Sequence, residues 1–484
     1  MVSHLFRFRS ARALLGEFEE LARQEIYFSS PDQLNDPMEG YKDIFWSGDD
    51  IVWRNLLKHY ALCLLQTASL FFVGGPRFDG ALLKSVVLSV PENLPDAPIR
   101  VTYQNICAAF LAEGAVQKFI AAMSARAIPV RRDELRHYLR ALHSYAYRAL
   151  MNELALRGLV GRREKSSATG DDEQWTKIED GIANTLDVLA KMDADQQRGL
   201  EELFAASEVV TEQMGLIQEY NVPTPESKSG LRFLTHEFPE KYVAALDELI
   251  HVPWHVACFS ANPANASMWA TYADSHRGAC LKFKVSSDVR GQPTLNLRRM
   301  TGWRSSTDPK GEPVYGVMPH RFHKVAYTAA YPEIDFFRSI GRLPIPALNG
   351  FWYRGENGTA SSSRTPSFDT EEWRKKYWDD FESGATCKTS EWSHEEEYRL
   401  TLYTSLLDVS DPADRKLPYN FADLSGIIFG AKMAEQDKLS IMRLISEKCS
   451  HEGRKDFEFL QARYSRKEAA FQIVPFGLIR PNVG

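Results

Sequence analysis

The stretch HVACFSANPANASMWATYADSHRGACLKF, residues 255–283, decides how this chain is put together. Its first six residues are largely apolar, as a buried strand requires, and the turn formers of ANPAN follow. Met268, Trp269 and Tyr272 then recur at helical spacing, and Gly278 stops that helix before a second apolar run, ACLKF. The spacing predicts strand, polar loop, short helix, strand. Ser260 ends the first strand, with its hydroxyl at the rim of a sheet. Trp269 and Tyr272 either lock the helix onto the sheet or, with Ser260, meet a ligand. His255 with Cys258 and His276 with Cys280 have zinc-like spacing, but both cysteines fall in apolar strand runs, where a thiol is an ordinary small hydrophobe. No metal is expected.

Working outward, HLFRFRS alternates, with Phe6 and Phe8 on one face and Leu5, Arg7 and Arg9 on the other. A helical pattern, ARALLGEFEELARQE, a strand, IYFSS, and a turn-rich loop, PDQLNDPMEG, complete a β-α-β start. From about residue 51 the character changes. WRNLLKHYALCLLQ, NICAAFLAEGAVQKFIAAMSARA, RDELRHYLRALHSYAYRALMNELALRGLV and WTKIEDGIANTLDVLAKM carry apolar residues every three or four positions and predict helices. GRREKSSATGDDEQ and VPTPESKSG read as exposed connectors. Strand-like runs return after residue 230 with HKVAYT, EYRLTLYTSLL, LSGIIFGA and AAFQIVPF, whereas RGENGTASSSRTPSFDTEEW reads as a mobile loop. The predicted fold is α+β, its core split into residues 1–50 and 231–484 by an all-helical insertion at 51–230.

A chain of 484 residues exceeds one small core, and its 44% hydrophobic and 25% charged residues are those of a globular protein. The net charge of −6 excludes a global basic footprint for duplex nucleic acid. Six scattered cysteines suit reduced thiols, and the N-terminal sequence lacks a signal-peptide pattern, so a cytoplasmic location is expected. YALCLLQTASLFFVGG is the most apolar run, but it is shorter than a membrane span and contains Gln66, Thr67 and Ser69. A buried helix is predicted there, and no membrane partner.

Charge gathers in three places. In EWSHEEEYRL, residues 391–400, strand alternation sets Glu395, Glu397 and Arg399 on one face, opposite Tyr398, Leu400 and Leu402. The two carboxylates, with Cα atoms roughly 7 Å apart, raise each other's pKa unless cations answer them. Arg399, Lys388 and, if the first strand lies alongside, Arg7 or Arg9 are the candidates; a solvated ion-pair ladder is the plain alternative. The NDPMEG loop offers Asn35, Asp36 and Glu39, of which Asp36 suits a turn beside Pro37, with Asn35 bonding the local backbone. RRDELRHYLRALHSYAYR gathers Arg131, Arg132, Arg136, Arg140 and Arg148 as a solvated face or as a dock for nucleic acid or an acidic partner.

In order, YFSSPDQLNDPMEG, CFSANPANASMWATYADSHRGACLKF, Lys388 followed by WSHEEEYR, and LSGIIFGA resemble the motifs of the bacterial and phage domain-of-unknown-function family 2971. The resemblance covers roughly residues 4–45 and 250–475, and implies a bacterial or phage-defence setting. A second resemblance, of order and element type, is to mono-ADP-ribosyltransferases with an arginine-serine-glutamate triad. It implies an ADP-ribosyltransferase-like split sheet that takes NAD as a substrate. Arg7 or Arg9 would bind the pyrophosphate or adjacent ribose, and Ser260 would position the ribose or the catalytic glutamate. Trp269 or Tyr272 would stack on nicotinamide, Glu397 would stabilise the ribose cation, and Glu395 would orient or deprotonate an acceptor, be it protein, nucleic acid or, in NAD glycohydrolysis, water. Two other readings stay open: a non-catalytic nucleotide- or partner-binding sensor, and a nuclease holding magnesium on Asp36, Glu39, Glu395 and Glu397.

Overall fold

In the computed structural model the 255–283 stretch forms the strand Trp254–Ser260, the helix Ala266–Tyr272 and the strand Ala279–Lys284, as its pattern predicts. The structure describes residues 2–74, 86–160, 188, 192, 195–196, 199–221, 230–305, 311–364, 370–403 and 409–477. The first expected connector, residues 222–229 of the second, most of the helix expected at 175–192 and residues 404–407 of the TLYTSLL strand lie outside them.

The fold is α+β and divides into two units. One comprises residues 1–41, 252–332 and 381–484, and the other residues 42–251 and 333–380. The second unit begins at Lys42 because Asp43–Trp46 pairs with Val130–Arg131 and Glu333–Asp335, all within that unit.

The first unit is built on a ten-stranded sheet. Its order runs Ala470–Pro475, Glu458–Ser465, Leu424–Phe429, Ala279–Lys284, His4–Arg9, Trp254–Ser260, Glu397–Tyr403, Glu312–Lys324, Pro293–Arg304 and Ser286–Ser287. The pairing is antiparallel except between Leu424–Phe429 and Glu458–Ser465. Both faces are covered. Leu5, Phe259, Phe283, Leu400 and Ile427 pack with Ile441 and Ile445 of the helix Glu435–Glu452. Phe8, Cys280 and Ile428 pack with Met268 and Trp269 of the short helix on the other face. The ARALLGEFEELARQE helix is in fact two, Ala11–Leu15 and Glu20–Arg23, because Glu19 takes a left-handed φ of 47° that breaks the run.

Register settles which first-strand side chains share a face. Phe6 pairs with Ser260, and Ser260 pairs with Glu397. Directly opposed residues point the same way, so Phe6, Ser260 and Glu397 share one face while Arg7 and Arg9 project from the other. Arg7 lies 5.4 Å from the ring centroid of Phe259 on that opposite face.

The second unit buries Trp53, Tyr60, Phe119, Leu139 and Tyr242 among the helices Asp50–Gly74, Ala97–Ala112, Gly114–Ser124, Arg132–Leu156 and Phe238–Ala245. The apolar run forms the buried helix expected of it, as the C-terminal part of a 25-residue helix, Asp50–Gly74. It is long and apolar enough to cross a membrane, yet 61% of its most apolar window is buried in the protein. Part of the expected mobile loop is held: Asp49 accepts from the Ser361 hydroxyl at 2.8 Å and from the Ser362 N–H at 2.6 Å.

Candidate functional site

Three short elements bring the acidic residues of the first unit together. Residues Ser390–Glu395 form a 3-10 helix, and Glu396, at a φ of 44°, turns the chain into the strand Glu397–Tyr403. Glu395 is therefore not on the strand, contrary to the alternation reading, because the helical turn places it. Lys388 lies on Cys387–Thr389, which pairs in parallel with Ala326–Thr328 so that Tyr327 stands opposite Lys388. Glu39 follows a turn closed by Asp36, whose Oδ1 accepts from the Met38 N–H at 2.9 Å. The local bond is made by Asp36, and Asn35 is exposed.

These pieces meet in one ion cluster. Lys388 Nζ stands 2.6 Å from Glu395 Oε2, 2.9 Å from Glu397 Oε2 and 3.8 Å from Glu39 Oε2. Arg399 donates from Nε to Glu397 Oε1 at 2.9 Å and from Nη2 to Glu397 Oε2 at 3.2 Å. Its Nη1 and Nη2 reach Glu39 at 2.6 and 2.8 Å, and Nη1 also donates to the Ala385 carbonyl at 2.6 Å. All five guanidinium N–H donors are thus engaged. The Arg399 side chain is 0% exposed, and those of Glu39, Glu395, Glu397 and Lys388 are each 5% or less.

Charge does not balance here. Three carboxylates face two cations, so with every group ionised one negative charge is in excess. Burial raises the Glu39 carboxyl, and Arg399 and Lys388 pull it down without cancelling that push. Burial acts on Glu397 in the same sense, but Arg399 and then Lys388 outweigh it and hold that carboxyl below its usual range. Burial disfavours the Lys388 ammonium, yet Glu397 leads the carboxylates that lift its pKa overall. Two carboxylates in one cluster are therefore pushed in opposite directions, Glu39 up and Glu397 down.

Tyrosines and a tryptophan border the cluster. The Tyr272 hydroxyl donates to Glu395 Oε1 at 2.6 Å, and the Tyr327 hydroxyl accepts from the Glu397 N–H at 2.9 Å. Lys388 Nζ lies 5.1 Å from the ring centroid of Trp392. Sequence reading missed Tyr327 and Trp392 as members; Trp392 stood in the quoted motif, and Tyr327 in a run read only as a strand. Ser260 is fully buried and donates to the Glu395 carbonyl at 2.8 Å, so it fixes the backbone beneath the cluster.

Three expected ligand contacts change. Trp269 is 0% exposed, its Nε1 donates to the Pro263 carbonyl at 2.7 Å and its ring packs edge-on against Phe8, so it has no free face for nicotinamide. Arg7 and Arg9 cannot answer the glutamates, because they leave the opposite face of the sheet. Arg7 donates to the Tyr27 carbonyl at 2.9 Å, and Arg9 pairs with Glu20. In the second unit, Arg131 pairs with Asp43 and Glu333, Arg132 with Asp247, Arg136 with Asp133, Arg140 with Glu208 and Arg148 with Glu113. The expected basic dock is therefore answered residue by residue.

Of the four magnesium candidates, Glu39, Glu395 and Glu397 do converge, but Lys388 and Arg399 stand between them. Among the described residues no group of three or more His, Cys, Asp or Glu side chains is arranged to hold a metal ion.

A comparison with protein families matches residues 268–400 to a protein of unknown function, DUF2971. No curated protein and no solved structure matches the chain. The matched stretch contains Tyr272, Lys388, Glu395, Glu397 and Arg399, every member of the cluster but Glu39. The likeness to DUF2971 thus spans just over a quarter of the chain and takes in the lysine, the arginine and two of the three glutamates of the cluster.

Proposed function

We propose that the first unit consumes NAD at this cluster, transferring ADP-ribose to an acceptor or to water. Breaking the nicotinamide–ribose bond leaves positive charge on the ribose, as in an oxocarbenium-like glycoside transition state. Buried carboxylate in excess over cation is suited to stabilise such charge. On this reading Glu397, held anionic by Arg399 and Lys388, stands under the ribose. Glu395, hydrogen-bonded to Tyr272, takes the proton of the attacking hydroxyl or water. The pyrophosphate is not held by Arg7 or Arg9. The observation that carries the proposal is the convergence of Glu395 and Glu397 on one lysine within a cluster short of positive charge.

Nicotinamide release from NAD by the purified protein, with crude lysate supplying acceptors, tests this. The wild type is expected to release nicotinamide and Glu397→Gln to lose at least ~100-fold, about the cost of removing one transition-state charge partner. No release by a folded wild type overturns it.

Binding without turnover is the second reading, and the complete engagement of the Arg399 donors favours it. NAD then raises the melting temperature of the wild type with no nicotinamide formed.

A further inference from the structure

The first unit extends a long antiparallel ribbon, Pro293–Arg304 paired with Glu312–Lys324, that sequence reading did not anticipate. Near the sheet it is anchored: Leu295, Leu297 and Phe322 are buried in the core. Beyond Leu297 its side chains emerge into solvent. Met300 pairs with Tyr315 and Trp303 with Pro313, and a register shift separates the two rungs. Trp303 is 50% exposed, Tyr315 52% and Val317 65%, large aromatic and apolar surface on an element that buries little of it.

Charge on this ribbon opposes that of the whole chain. Its two strands hold Arg298, Arg299, Arg304, Arg321 and Lys324 against Glu312 alone, a surplus of four positive charges in a protein of net charge −6. Arg321 is answered by Asp288 at 2.8 Å. Arg298 instead lies over the Tyr315 ring, 5.1 Å from its centroid, and so makes a mixed cationic and aromatic platform. Arg298, Arg299 and Arg304 form no ion pair among the described residues.

We infer that this ribbon binds single-stranded nucleic acid. Exposed aromatic faces and a surplus of arginines on one narrow ribbon suit a flexible polyanion with stacking bases: each base has a π-face, and each phosphate can meet a cation. Arg298, Tyr315 and Trp303 share one face of the ribbon, and Arg299 and Arg304 leave the other, where Arg304 stands opposite Glu312, so the aromatic face carries one arginine and the back of the ribbon two more. The arginine-bearing helix of the second unit, by contrast, has its cations answered by carboxylates and offers no such surplus. The inference stands apart from NAD consumption, since none of its residues belongs to the acidic cluster.

Fluorescence anisotropy of a labelled oligothymidylate with the full chain is the test. Binding is expected to weaken at least ~10-fold between about 50 and about 200 mM salt, the signature of phosphate neutralisation. Trp303→Ala with Tyr315→Ala should weaken it a further ~10-fold or more through lost stacking. Arg298→Gln with Arg299→Gln and Arg304→Gln should weaken it and flatten the salt dependence. These positions are exposed or rim sites, and unchanged circular dichroism and melting temperature show that the variants are folded. A matched duplex should bind at least ~10-fold more weakly, because its bases are already stacked. Absence of binding by the wild type, equal binding of the duplex, or affinity untouched by both sets of variants overturns the inference.

Discussion

The acidic cluster of the first unit and the arginine-bearing helix Arg132–Leu156 of the second are alike in sequence and opposite in physics. Both are runs of like charge beside aromatic residues. On the helix, Arg136 and Arg140 remain partly exposed, and each meets a carboxylate at the surface. Around Arg399 the same types of ion are taken out of water, share partners, and fail to balance. Surface pairs are worth little because water already solvates both ions, whereas a buried ion has no substitute for the partner it loses. Burial, not charge density, separates the two regions.

The comparison breaks most visibly at its arginines. Arg399→Met should destabilise the first unit by about 3–5 kcal/mol, since it strands Glu39 and Glu397 without their shared donor. Arg140→Gln should cost no more than about 1 kcal/mol. Urea midpoints of the two variants measure the gap, and equal losses would erase the distinction.

A middle-sized effect is expected beneath the cluster. Ser260→Ala removes the hydroxyl that donates to the Glu395 carbonyl and leaves that buried acceptor unpaired. The cost should be about 1–3 kcal/mol, read as a shift of the same midpoint.

The pH dependence sharpens the contrast within the cluster. Glu397 has a folded pKa below its unfolded one, so the unfolded state binds more protons in that window. Its stabilisation is present above the usual carboxylate range and is lost as pH falls through the folded value. Glu39 has the opposite sign: its folded pKa is raised, so stability declines as pH climbs from the usual range through that raised value. Urea midpoints from about pH 3 to about pH 8 should therefore lose their acid-side slope in Glu397→Gln and part of their neutral-side decline in Glu39→Gln. Identical slopes in both variants would contradict the assignment of unlike roles.

Much of the fold was legible because its central strands alternate or run apolar and its helices keep their spacing. The strand–loop–helix–strand at 255–283 is carried by residues whose patterns agree with their packing. The ribbon was not legible: Arg298, Arg299, Gly302 and Pro313 interrupt any alternation, and partnership between the strands is what holds them extended. In the site, Glu395, Glu397, Lys388, Arg399 and Glu39 were each singled out from composition and spacing. Their mutual arrangement was hidden, because a left-handed residue at Glu396 reorients Glu395, and because period two cannot say whether the far face of a strand is wet. Arg7 and Arg9 show the same limit from the other side. Their alternation was correct, but only cross-strand register reveals that the face they share is not that of Glu397.

The most direct test of whether the cluster is a site or a strut is one variant read two ways, Glu395→Gln, by melting temperature and by nicotinamide release. The account predicts a melting temperature within about 2 °C of the wild type, less than about 1 kcal/mol for a unit of this size, because the amide keeps the shape and removes an excess negative charge. It also predicts that nicotinamide release, present in the wild type, is lost. A fall of many degrees, with no release by either protein, would contradict it and make the cluster a strut.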